Sequence, residues 1–425
     1  MWWHMRYTIH RAGRYIGIVC SVFLISVLCG MSVIQGITGT LKYKTWKKQP
    51  DVVSVTSWQT EGINKNDPLP LEAASAVLVD AENGRVLYEK QGYEQRAMAS
   101  TTKIMTLIIA LEYGNLEDPV TISSYAASMP QVRLNVHKGE QYYLKDLLYS
   151  LMLESHNDVA VAIAEHIGGN VEGFAALMNQ KAAEIGAYHT NFVTPNGLDD
   201  DAHYSTAYDM ALIARYAISN PQFIEITNTT DYTFADISNN RSFSVHNHNA
   251  FLHMYDGAIG VKTGFTGNAG YCFVGAVTRD EHTMIAVVLG CGWPPHKNYK
   301  WKDMRALFDY GFSCYKQRTV YKPEQDAVML SVHDGIEADW CYGYTEETVR
   351  LYMADWEQVT YRYHVPEYIE APVKQGEVIG SVEILINDQP LRRVAVRAAT
   401  GIRHITFEYC LGQILRLFCG QEISI

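Results

Sequence analysis

Hydrophobic and polar positions fall into distinct textures along the chain. Ala76-Val77-Leu78-Val79 and Arg85-Val86-Leu87-Tyr88 flank Asn83-Gly84, a pair that accepts the positive φ of a tight hairpin turn. Apolar residues then recur at helical spacing, which predicts helices over 103–112, 144–153, 158–167, 171–185 and 207–217. β patterning returns over 271–278 and 283–289, two β-branched runs joined by Arg279-Asp280-Glu281-His282. Strands at both ends of a helical block predict one antiparallel sheet covered by helices, an α/β (α+β) domain assigned to 73–318.

Beyond about residue 320 the pattern changes to short alternating runs at 349–353, 359–365, 378–385 and 392–398, read as a small all-β domain over 319–400. Phe407, Cys410, Leu411, Ile414, Leu415, Leu417 and Phe418 then share one helical arc, opposite Glu408, Gly412, Gln413 and Arg416. This amphipathic helix, in the segment 401–425, suits either a membrane surface or a face of the β domain. At the other end Arg6, Arg11 and Arg14 precede an uncharged run over 15–34. Segment 1–40 therefore reads as a cleaved signal or a retained anchor, and the globular part as exported. Segment 41–72 mixes Lys, Ser, Thr, Asn and Pro without periodicity and is assigned as a linker.

Composition narrows the function. The 425 residues suffice for two globular domains plus tails. A net charge of −11 argues against nucleic acid as a partner, because phosphate binding needs a clustered basic surface. The eight cysteines include no C-x-x-C pair, so neither a zinc site nor a redox motif is indicated. His246, His248 and His253 lack a carboxylate or thiol at ligand spacing, and Asp199-Asp200-Asp201 reads as a solvated turn. No metal or cofactor is expected.

Three short motifs occur in order: Ser100-Thr101-Thr102-Lys103, Ser155-His156-Asn157 and Lys262-Thr263-Gly264. Singly each is weak, since Ser313-Cys314-Tyr315-Lys316 and Ser238-Asn239-Asn240 repeat the first two patterns. Only one set has both the order and the local context. Ser100 and Lys103 stand i and i+3 at a helix start, so the amine reaches the hydroxyl. A lysine that is desolvated and lies beside a second cation, here Lys262, is neutral enough to take the serine proton. Ser155 and Asn157 lie between two helices, with Ser155 a proton relay and Asn157 a donor to a substrate amide. The competing assignment is a capping box formed by Ser155 and Asp158. Lys262-Thr263-Gly264 follows Ile259-Gly260-Val261, a β-like run able to pair with an extended peptide while Lys262 and Thr263 hold its terminal carboxylate.

These motifs resemble those of the serine-type D-Ala-D-Ala carboxypeptidases, the low-molecular-mass penicillin-binding proteins. The likeness spans about residues 73–315. It includes Met98-Ala99-Ser100-Thr101-Thr102-Lys103-Ile104-Met105-Thr106, Asn196-Gly197-Leu198, His203-Tyr204-Ser205-Thr206-Ala207 and Lys262-Thr263-Gly264-Phe265-Thr266. Ala371-Pro372-Val373-Lys374-Gln375-Gly376 resembles the opening of the C-terminal β domain that many members carry. The resemblance implies a β-lactamase/transpeptidase-like catalytic fold and hydrolysis of the terminal D-alanine from peptidoglycan stem peptides. It also implies covalent capture of β-lactam antibiotics and attachment at a membrane surface. Ser100 would form the acyl-enzyme, Lys103 would be its base, and Ser155 would protonate the leaving amine. Asn157, Lys262, Thr263 and Gly264 would bind substrate, and the backbone N–H groups of Ser100 and Phe265 would form the oxyanion hole. One departure is Cys291-Gly292-Trp293, where some members place an arginine that helps bind the carboxylate. A β-lactamase, a DD-endopeptidase and an inactive wall-binding protein are the alternatives. Glu165, Glu172, Glu184 and Glu225 all lack the E-x-x-L-N context of a deacylating glutamate.

Overall fold

The computed structural model describes residues 52–57, 69–323 and 328–419. The described residues form two compact units, one from 69–316 with 352–354, the other from 52–57, 317–323, 328–351 and 355–419.

The first unit is organised by a five-stranded antiparallel sheet in the order Val86–Lys90, Ser75–Asp80, His282–Leu289, Gly270–Arg279, Ala258–Thr266. Both hairpins expected from the sequence form. Gly84 takes φ +76°, and Asp280 and Glu281 take +49° and +62° at the second turn. The central strands are apolar on both faces because both faces are covered. Val77, Val79, Cys272, Val274, Ala276, Ile285, Val287 and Leu289 pack into the main core with the helical block. The alternate positions meet the helix Tyr299–Cys314, which the sequence reading does not include. A Cβ at Gly311 in that helix would lie 2.5 Å from Met284 Sδ and 2.8 Å from Leu78 Cδ2, so the glycine lets it seat close to the sheet.

The helical block includes the five expected helices, Lys103–Tyr113, Leu144–Leu153, Asn157–Gly168, Val171–Ile185 and Ala207–Ala217, within two residues of expectation at every end, and also Pro221–Asn228, which the sequence reading does not include. Its ends are capped in ordinary ways. Asn170 and Thr206 accept from Gly173 N and Asp209 N, and Gly169 and Gly186 close two helices in the left-handed region.

The second unit holds a seven-stranded sheet in the order Val52–Ser57, Gln358–His364, Val378–Ile386, Gln389–Ala398, Trp340–Tyr344, Val328–His333, Tyr368–Glu370. Val52–Ser57 corrects the linker assigned to 41–72, since it pairs antiparallel with Gln358–His364. Its run VVSVTS is rich in β-branched residues, and that composition favours a pleated strand over coil. The helix Phe407–Phe418 forms where the apolar arc predicts it. Phe407 is 80% and Phe418 79% exposed, with Leu411, Ile414 and Leu415 also exposed, so the arc is not packed on the β domain. The signal or anchor assigned to 1–40 lies outside the described residues.

Candidate active site

Ser100 stands in a short 3₁₀ turn, Ala99–Thr102, that runs into the helix Lys103–Tyr113. The turn is held from several sides. Thr101 Oγ1 donates to Met98 O at 2.6 Å, and Thr102 Oγ1 donates to Ala99 O at 2.8 Å. His203 Nδ1 accepts from Val193 N at 3.0 Å, which leaves Nε2 protonated to donate to Thr102 Oγ1 at 2.8 Å. Burial depresses the imidazole to about 4, so it is a neutral, fixed donor at working pH. Ala99 takes φ +49°, a left-handed conformation costly for alanine and sustained by these surroundings. Gly197 takes φ +82°, and a Cβ there would lie 2.0 Å from Ala99 O. Glycine thus lets the Asn196-Gly197 backbone press against the nucleophile turn.

Lys103 is fully buried. Its Nζ lies 3.0 Å from Ser100 Oγ, 2.9 Å from Asn157 Oδ1 and 2.7 Å from Asn196 O. Burial drives its pKa well below the usual lysine value and the charge of Lys262 adds to this, while Asp158 acts the other way. A neutral amine has two N–H bonds and one lone pair. With the two N–H bonds on Asn157 and Asn196, the lone pair is left for the Ser100 hydroxyl proton. The serine does not act as a helix cap, because the turn makes no side-chain cap bond and, among the described residues, Ser100 Oγ has only a 3.4 Å contact to Asn196 O besides Lys103.

Ser155 adopts φ +67° between two helices. Its Oγ is buried and has no hydrogen-bond partner among the described residues. The capping-box alternative fails. Asn157–Gly168 begins after His156 without a side-chain cap, and the Asp158 carboxylate accepts instead from Leu134 N, Asn135 N and Val136 N at 3.0, 2.9 and 3.3 Å. Asn157 differs from expectation. Its amide nitrogen donates to Pro130 O and Gln131 O at 3.3 and 3.1 Å. With both N–H bonds directed at the wall of the site and Oδ1 on Lys103, the side chain holds the lysine and has no donor left for a substrate amide.

Lys262, Thr263 and Gly264 lie on Ala258–Thr266, the outer strand of the sheet, whose other edge pairs with no strand among the described residues. Lys262 is 4% exposed, and burial depresses it to about 7. Its ammonium donates to Thr263 O at 3.0 Å, and no ion pair satisfies it among the described residues. A Cβ on Gly264 would lie 2.8 Å from Ser100 N and 3.0 Å from Thr101 N. The strand therefore rests directly on the nucleophile turn. Phe265 is 42% exposed, with its ring 4.6 Å from that of Tyr271. In Cys291-Gly292-Trp293, Cys291 is buried and bonded to Asp303, and Trp293 Nε1 donates to Gly267 O at 2.8 Å. Neither residue supplies a cation. Among the described residues no group of three or more His, Cys, Asp or Glu is arranged to hold a metal.

The structure thus brings Ser100, Lys103 and Asn157 into direct contact and stacks Gly264 on the turn that carries Ser100. The Asn196 carbonyl, Asp158 and His203 complete the site, each acting from a segment distant from the residue it supports. Asn196-Gly197 and His203 stand out in the sequence as motif blocks, but their partners become visible only in the fold.

Comparison with known proteins gives the family. A family model described as D-alanyl-D-alanine carboxypeptidase matches residues 62–292. The chain is 32% identical over 351 residues to D-alanyl-D-alanine carboxypeptidase DacF of Bacillus subtilis, covering 81% of this chain and 89% of the relative. It is similar in structure to penicillin binding protein 5 from Haemophilus influenzae, with TM-score 0.65 and 27% identity, covering 81% of this chain and 100% of the other. It is also similar to the Streptomyces K15 DD-transpeptidase in a mutant form, with TM-score 0.54 and 31% identity, covering 58% of this chain and all of the other.

Proposed function

Because the chain belongs to the D-alanyl-D-alanine carboxypeptidase family, whose members are penicillin-binding serine peptidases acting on peptidoglycan, we propose the following reaction for its own residues. Lys103, neutral, takes the Ser100 proton as Oγ attacks the carbonyl carbon of the penultimate D-alanine. The Ser100 and Phe265 backbone N–H groups hold the developing oxyanion, an interaction worth about 10²–10³ in rate per donor. The Ser155 hydroxyl passes a proton to the departing nitrogen, the C–N bond breaks, and free D-alanine leaves a Ser100 ester that water then hydrolyses. Lys262 and the Thr263 hydroxyl hold the terminal carboxylate while the peptide pairs with the free edge of Ala258–Thr266. With no arginine after the strand His282–Leu289, that task rests on these two residues.

The observation that carries this reading is Lys103 Nζ, fully buried and 3.0 Å from Ser100 Oγ, with two fixed acceptors for its own N–H bonds. A β-lactam presents the same carboxylate and a strained amide, but its leaving nitrogen stays tethered, so the ester persists. A β-lactamase reading has less support. Glu184 is paired with Lys181 at 2.7 Å and Glu225 with Tyr149 at 3.2 Å, so neither is poised to activate water at Ser100. The exposed apolar arc of Phe407–Phe418 supports attachment to a membrane surface. The uncharged run over 15–34 supports export to the outer face of that membrane. Intact-mass analysis after incubation with benzylpenicillin tests the assignment. One covalent adduct is expected on the parent and none on Ser100→Ala, and an adduct that survives the substitution refutes the nucleophile.

A further inference from the structure

The stretch 129–136 forms the wall of the site on the Asn157 side. Asn157 N donates to Val132 O at 2.7 Å, and the Asn157 side-chain amide reaches Pro130 O and Gln131 O. The Asp158 carboxylate fixes Leu134 to Val136 through their backbone N–H groups. Arg133 lies in this wall, half-buried. Among the described residues its guanidinium makes one long hydrogen bond, 3.5 Å from Nη1 to Met129 O, and its buried Nε has no hydrogen-bond partner.

The nearby acids are already occupied. Glu140 takes Arg241 Nη1 at 2.7 and 2.8 Å and also the Tyr142 hydroxyl at 2.7 Å, while Asp158 takes the backbone. A guanidinium partly removed from water with an orphaned Nε is costly unless an anion completes it. Its position is equally specific. Met129, whose carbonyl it touches, has its sulfur 3.9 Å from Asn196 Nδ2, and the next residue, Pro130, accepts from Asn157. Asn196 and Asn157 are the two acceptors of Lys103. The guanidinium is therefore anchored on the same short segment, 129–131, whose Met129 side chain and Pro130 and Gln131 carbonyls meet Asn196 and Asn157.

On the proposed function, the terminal carboxylate occupies Lys262 and Thr263 on the edge strand. A second free cation on the Asn157 wall then serves a different part of the peptide. We infer that Arg133 binds a carboxylate on the acyl-donor side, carried by the side chain of the residue that precedes D-Ala-D-Ala. The preferred substrates are stem peptides in which that side chain ends in a free carboxylate and not in an amide. Arg133 is a specificity residue and takes no part in the proton transfers. The inference rests on the proposed function and deepens it.

The test uses the full-length chain and two synthetic peptides, acetyl-L-2-aminopimelyl-D-Ala-D-Ala and its side-chain amide, with D-alanine release as the readout. The parent is expected to favour the acid peptide about 10-fold or more in kcat/KM, mainly through KM, as a charge-assisted hydrogen bond implies. Arg133→Gln is expected to lower the acid peptide to the level of the amide while leaving the amide peptide and benzylpenicillin acylation unchanged. Arg133→Lys is expected to restore part of the preference. Equal kcat/KM for the two peptides in the parent overturns the inference, as does a preference that survives Arg133→Gln. If the parent cuts neither peptide and is not acylated by benzylpenicillin, the proposed function itself fails and takes this inference with it.

Discussion

Gly264 is the residue through which the substrate-binding strand rests on the nucleophile turn, and adding one methyl group there tests that packing. In Gly264→Ala the new Cβ would lie 2.8 Å from Ser100 N, 3.0 Å from Thr101 N and 3.1 Å from Ala99 Cβ. Ordinary contact begins near 3.4 Å, so strand and turn must separate by about 0.6 Å. The turn cannot easily yield, because Thr101, Thr102 and His203 tie it down and Ala99 is already in the left-handed region. Overpacking of this kind costs about 1–3 kcal/mol. In a unit of this size that lowers Tm by about 2–10 °C. The displacement also falls between the two backbone N–H groups assigned to the oxyanion. A misplacement approaching 1 Å costs up to about 10² in rate, so benzylpenicillin acylation should slow by about 10- to 100-fold. Gly267→Ala is the control, since no atom lies within 4 Å of its Cβ position. It should acylate and melt like the parent. Stopped acylation reactions read by intact mass, with thermal melts on the same samples, decide the matter. Parent-like acylation and melting in Gly264→Ala would refute the packing argument.

Further expectations follow from the same contacts. Asn157→Ala removes an acceptor of Lys103 and two bonds to the 130–131 wall; acylation should fall about 10²-fold with about 1–3 kcal/mol of stability lost in urea titrations. Lys262 is depressed to about 7 in the fold against 10.5 when exposed, so between these values the unfolded chain binds the extra proton and stability rises with pH. The span corresponds to on the order of 5 kcal/mol, and Lys262→Met should remove a large part of the rise in urea midpoint between pH 7 and 10, the remainder coming from Lys103, which burial depresses over the same range. His203, about 4 in the fold against 6.5 free, likewise binds its proton more readily when unfolded, so stability should fall as pH drops from 6.5 towards 4. His203→Asn should weaken that dependence in acid melts. Phe407→Ser with Phe418→Ser removes the two most exposed aromatic rings of the terminal helix; flotation with anionic vesicles should drop while benzylpenicillin acylation stays unchanged.

Much of this molecule is legible in its sequence where one local signal dominates. The Asn83-Gly84 turn, the five helical stretches and the terminal amphipathic helix all form where periodicity puts them, because packing there agrees with local preference. Three features escape for physical reasons. Val52–Ser57 is a strand only because Gln358–His364, some 300 residues away, offers an edge to pair with. Tyr299–Cys314 has a weak apolar stripe interrupted by charges, and its identity as a helix is fixed by the sheet face it covers. Asn157 looks like a substrate donor in the motif, yet loop 130–131 consumes its N–H bonds from outside the motif. The candidate site follows the same division. Ser100 and Lys103 are readable as i and i+3 on one turn, while Asn196, which fixes the lysine, is a long-range neighbour.

The central claim is that a lysine uncharged at working pH stands against the Ser100 hydroxyl. The most direct test is an NMR titration of the Lys103 side chain in protein carrying ¹³C/¹⁵N-labelled lysine, with Lys103→Arg used to assign the signal. The expected result is a neutral-amine signature at pH 8 and a transition well below 10.5, with Lys262→Met moving that transition upward because a neighbouring positive charge has been removed. An ammonium signature that persists through pH 10 would contradict the account, because the amine could not then accept the serine proton.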